Sequence, residues 1–177
     1  MKSLNSYITE KFQVSKANVG IYAYTPKDKE ELRNIIEERL AKDKNADFND
    51  IDVSAITDMN NLFKGLDPHN IDISDWNVAN VTDMKLMFYK CENFNSNLSK
   101  WNVYNVEDMR LTFYECKKFN CDLSDWNVSR VKTMISMFGY CEKFNSDLSK
   151  WNVSNFTRVV NMFTHCHSLK NKPAWYK

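Results

Sequence analysis

Apolar residues along this chain fall into columns. Trp76, Trp101, Trp126 and Trp151 stand 25 residues apart, and the same step relates Phe88, Phe113, Phe138 and Phe163. Cys91, Cys116, Cys141 and Cys166 form a third column, and Met84, Met109, Met134 and Val159 a fourth. Phe94, Phe119, Phe144 and Leu169 follow, then Leu98, Leu123 and Leu148. One unit reads W-N-V-x-N-V-x-x-M-x-x-M-F-x-x-C-x-x-F-N-x-D-L-S-x. A degenerate unit precedes these, because "DVSAITDMNNLF" (Asp52–Phe63) aligns with "NVANVTDMKLMF" (Asn77–Phe88). At the other end Pro173, Ala174, Trp175 and Tyr176 occupy the register of a final strand and read as a cap. A period of this kind marks repeats that bury their apolar faces against one another.

Within a unit, Val81, Met84, Phe88 and Cys91 share one face of a short helix, with Thr82 or Asn80 as its cap and Asp83 in its first turn. The stretch L-S-x-W-N-V alternates at its end, as a strand does. A strand and a helix per period predict a parallel α/β solenoid over residues 49–176. Residues 1–48 carry no repeat. Thr25-Pro26-Lys27-Asp28 reads as a helix start, with Thr25 as cap, and Leu32, Ile35, Ile36 and Leu40 form the apolar face of a helix to about Ala41. A shorter helix is expected over Leu4–Phe12 and a strand over Val19–Tyr24. The segment reads as an N-terminal helical cap for the repeats, the alternative being a docking domain with its own partner.

Composition narrows the function classes. Lys plus Arg (24) nearly cancels Asp plus Glu (23), which argues against nucleic acid and against a membrane surface. Aromatics at 14% with only three glycines and three prolines describe a folded chain. No apolar stretch is long enough to span a bilayer, so no membrane insertion is expected. "MKSLNSYITEKFQVSK" holds no apolar core of signal-peptide length, which predicts a cytoplasmic protein, or a virion-associated one if phage-encoded.

Candidate chemistry is thin. Four cysteines sit one to a repeat inside the apolar stripe, and a line of sulfurs does not converge on a zinc ion. Cys121, opposite Ser96 and Ser146, is expected to be a partly exposed thiol. His165 and His167 flank Cys166, but neighbouring residues on a helix point apart. Asn95, Asn120 and Asn145, with Asn97, Asp122 and Asp147, could form calcium loops; a ladder of amide side chains satisfying turn backbone is the favoured reading. No nucleophile–base grouping, phosphate loop or HExxH is present. The expectation is a non-enzyme with no cofactor, no metal and no small-molecule substrate.

The run "MFYKCENFNSNLSKWNV" (Met87–Val103) resembles BspA-type leucine-rich repeats, and the whole unit is similar to the repeat of bacterial and mycoplasma surface lipoproteins. The leader resembles that of small repeat proteins in bacteriophage and gut-bacterial genomes. The resemblance implies a right-handed leucine-rich-repeat-like solenoid and a role in protein contact, without catalysis; a structural or accessory part of a virion or cell surface is the alternative. Leucine-rich repeats commonly bind on the strand face. The resemblance therefore points to Lys100, Asn102, Tyr104, Asp125, Asn127 and Lys150 as the protein-binding residues. On that face Asp75, Lys100, Asp125 and Lys150 alternate in sign, so stacked neighbours would attract. Positions that differ between repeats are Tyr89-Lys90, Tyr114-Glu115, Gly139-Tyr140 and Thr164-His165, and a second variable column runs Ala79, Tyr104, Ser129 and Ser154 just beyond the strand.

Overall fold

The computed structural model describes residues 22–177. The helix expected over Leu4–Phe12 and the start of the strand expected over Val19–Tyr24 lie outside these residues. At the strand's described end, Tyr24 makes one parallel bridge with Ile51.

One α-helix is present among the described residues, α1 (Lys29–Leu40). Asp28 caps it in place of Thr25, its carboxylate accepting the Glu31 N–H at 2.9 Å. Glu30 and Glu31 lie in the first turn and Arg39 in the last, an arrangement that suits the helix dipole. Leu32, Ile36 and Leu40 are buried and join the same core as the repeats, with Ile35 partly buried beside them.

The α/β solenoid with a strand and a helix in every unit is not what the chain forms, and the leucine-rich-repeat-like reading falls with it. Among the described residues the repeats contain no helix and no sheet. They hold only isolated parallel bridges, Asp58–Asp83, Asp83–Asp108, Asp108–Thr133 and Thr133–Arg158, with Asp47–Asp72 joining the segment before them. Over the expected helix, the N–H groups of Met84, Leu86 and Phe88 donate to the carbonyls of Asp108, Arg110 and Thr112 in the next unit, each at 2.9 Å. Lys90 donates to Tyr114 at 2.8 Å. Between them, Met87 donates to Met84, Tyr89 to Leu86 and Cys91 to Phe88, so the stretch is a run of β-turns. Leu86 (φ 58°) and Lys90 (φ 61°) are left-handed, and so are Leu111, Glu115, Ser136, Tyr140, Asn161 and His165 at the matching positions. A residue in that region cannot continue a right-handed helix. The expected strand fails for a similar reason: the Trp101 N–H turns back to Leu98 at 3.1 Å and Val106 to Val103 at 3.0 Å.

Asparagine and aspartate hold these turns. In one unit Asn97 accepts the Ser99 N–H (3.1 Å), Asn102 the Tyr104 N–H (3.2 Å) and Asp108 the Arg110 N–H (2.9 Å). Each is a side chain closing onto the backbone two residues ahead, which organises a turn without glycine. Asp83 and Asp108 are therefore turn caps and not first-turn helix acids.

Inside, like residues stack on like. Phe63, Phe88, Phe113, Phe138 and Phe163 follow one another at ring separations of 5.0, 5.5, 5.6 and 5.9 Å. At the last layer Trp175 lies 6.1 Å from Trp151 and nearly parallel to it, so the expected cap residue fills the tryptophan column one position early.

Candidate functional site

The tryptophans are structural. Trp76, Trp101, Trp126 and Trp151 are at most 4% exposed. Each indole N–H donates to a main-chain carbonyl of the preceding layer, that of Phe48, Ile73, Leu98 and Leu123 in turn, at 2.8–3.0 Å. The cysteine column is equally internal. Cys91, Cys116, Cys141 and Cys166 direct their thiols to the carbonyls of Phe63, Phe88, Phe113 and Phe138. Burial pushes the Cys91 thiol up to about 12 and that of Cys166 to about 11, and raises Cys116 and Cys141 well above the ordinary value. Thiols so held are poor nucleophiles and poor ligands. Among the described residues no three His, Cys, Asp or Glu side chains are grouped to hold a metal. Cys121, expected to be partly exposed, is buried at 8% and accepts the Leu98 N–H at 3.1 Å, standing in for a serine.

The asparagine column behaves as a ladder of side chain to backbone. The Asn120 N–H donates to the Asn95 side chain and the Asn145 N–H to Asn120, both at 2.9 Å, and Lys170 continues the series at 3.1 Å. Beside it, Asn120, Cys121, Asp122, Asn145, Asp147 and Lys150 line a cavity of about 360 Å³. Asp122 is held below the usual carboxylate range chiefly by the Ser124 N–H and hydroxyl, with Lys150 contributing; Ser149 does the same for Asp147.

The six residues picked for binding are all exposed. Their side chains are not all available. Asn102 caps the turn at Tyr104, and Asn127 accepts both the N–H (3.2 Å) and the hydroxyl (2.7 Å) of Ser129. Arg130 lies over the Tyr104 ring at 5.5 Å. Among the described residues no ion pair joins Lys100 to Asp125 or Asp125 to Lys150. Charge pairing between layers runs through other columns, Lys117–Glu92 (2.8 Å), Lys132–Glu107 (2.5 Å) and Lys90–Glu115 (3.7 Å).

A row of aromatic side chains runs along a different side. Tyr89 stacks on Tyr114 at 5.4 Å, Tyr114 meets Tyr140 edge-on at 5.3 Å, and Tyr140 stacks on His165 at 4.4 Å. Lys64 and Lys90 each lie 5.5 Å from the Tyr89 ring. The row changes column between Tyr114 and Tyr140, and Gly139 permits this: a Cβ there would come within 2.8 Å of the Tyr114 ring. The row occupies one of the two sets of positions at which the repeats differ. That variation was the signal in the sequence, and only the turn geometry shows that the variable side chains meet.

A family model described as "Mycoplasma protein of unknown function, DUF285" matches residues 30–129 and 101–176. Neither a search of curated proteins nor one of solved structures returned a match.

Proposed function

The chain belongs to that DUF285 family, and from this premise we propose that it is a non-catalytic protein-binding module whose contact surface is the row Tyr89, Tyr114, Tyr140 and His165. The observation carrying this reading is the continuity of the row across four layers, at separations of 5.4, 5.3 and 4.4 Å, in the columns that the shared fold does not fix. Tyrosine gives large amphipathic contact area at low entropic cost and is enriched where binding energy concentrates. The rings are already ordered by one another, so little freedom is lost when a partner lands. Flanking Lys64, Lys90 and Glu115 supply a polar rim.

The test compares three forms of the full chain in quantitative capture from lysate of the source cell, read by mass spectrometry. Tyr114→Ala with Tyr140→Ala should lose a specifically captured protein by about tenfold or more, since each ring is worth about 1–2 kcal/mol at such a site. Lys100→Glu with Lys150→Glu and Tyr104→Ala should retain it. The opposite pattern moves the site to the second face.

A further inference from the structure

The two ends of the stack differ in what they leave unpaired. Over the turn run of each unit, from Met84 to Lys90 and at the matching positions, alternate peptide groups point carbonyl toward the preceding layer and N–H toward the next. Peptides just outside the run point the other way, as Glu107 N–H to Thr82 and Lys118 N–H to Glu92. In the first unit the carbonyls of Leu62 and Lys64 have no preceding layer, and the Arg33 guanidinium takes them at 2.9 and 3.2 Å. In the last unit the N–H groups of Val159, Asn161, Phe163 and His165 have no protein acceptor among the described residues. Beside them Phe156 is 93% and Val160 60% exposed, although the residues matching Phe156 in earlier layers, Val81, Val106 and Val131, are buried. Charge follows the same polarity. From Leu148 to Lys177 the chain has Lys150, Arg158, Lys170, Lys172 and Lys177 and not one Asp or Glu. The outer side of α1 exposes Glu30, Glu31, Glu37 and Glu38.

We infer that the last layer of one molecule docks on α1 of a second copy, head to tail. Along the turn run the open edge presents four N–H donors among cations, so that stretch takes acceptors that carry negative charge. Carboxylates on a helix supply both. Tyr24, 41% exposed, lies at the α1 end as an aromatic contact for Phe156. A symmetric dimer through the open edge is disfavoured, because it would set cations against cations. A head-to-tail contact does not close on itself and extends into chains.

The test is a charge exchange on the full chain, followed by sedimentation equilibrium in low salt. Wild type should show an average mass that rises above 20.9 kDa with concentration and returns to it in high salt. Arg158→Glu with Lys170→Glu should remain a monomer, and so should Glu30→Lys with Glu38→Lys; circular dichroism confirms that each variant is folded. An equimolar mixture of the two should regain association, since each supplies the end the other needs. Wild type that stays monomeric at every concentration overturns the inference. So does association that stops at a dimer, or that neither variant weakens.

Discussion

At one end of the stack α1 lays Leu32, Ile36 and Leu40 on the first layer, and Arg33 closes three of its carbonyls. At the other, Phe156, Val160 and four N–H groups face outward. Both ends are cut through the same repeating interior, so the contrast isolates what a cap supplies. It covers apolar surface, pairs backbone polar groups, and answers the dipole of the aligned peptides with charge of the opposite sign. The first end has all three. The second has Trp175 over the tryptophan column and Tyr176 edge-on over Phe163, and leaves Phe156 bare.

The largest way to break this comparison is Ile36→Ala. Ile36 is fully buried between α1 and the first layer, so its truncation should lower stability by about 3 kcal/mol, measured by denaturant unfolding. A loss below about 1 kcal/mol would mean that α1 rests on the stack without sealing it.

Alkaline pH gives the second test. The thiols of Cys91 and Cys166 have folded values raised to about 12 and about 11. The unfolded chain therefore releases those protons first as pH rises past the ordinary thiol value. Stability is full below about pH 8.5 and falls as pH climbs toward the folded values, by about 2–3 kcal/mol from Cys91 alone at pH 11. Cys91→Ala should flatten the profile over that range. Within the column, Cys166, 9% exposed at the open end, should react with a maleimide before the three fully buried thiols.

The smallest expected effect sharpens the contrast most. Phe156→Ser should change stability by no more than about 0.5 kcal/mol, because its side chain leaves little water on folding. Val131→Ser in the same column, at 2% exposure, should cost about 2 kcal/mol or more. Equal costs would show that Phe156 is covered in solution.

The period, the columns and their inward direction are legible in the sequence, because burial repeats faithfully and Trp, Phe and Cys mark it. The local backbone is not. Val81, Met84, Phe88 and Cys91 are spaced by threes and fours, as on a helix, but a β-turn also returns the chain inward every three residues, as between Met84 and Met87. The abundant Asn and Asp carried the missing information. Three turn caps per unit are more than a strand and a helix would use. Asp83, expected in the first turn of a helix, instead accepts the Lys85 N–H and organises a turn. The candidate site was half legible: the variable columns could be named, but the contact between Tyr114 and Tyr140 depends on Gly139 and on a shift of one position.

The fixed reach of the contacts has a kinetic consequence. Indole, thiol and main-chain bonds between layers join residues at most 28 apart in sequence. Among the described repeats, each new layer thus closes a loop no larger than one unit requires. The entropy of loop closure, which grows only with the logarithm of length, is met in equal instalments. Sequence separation between contacting residues stays constant as units are added, so the folding barrier of a longer homologue should track a single unit and not the whole chain.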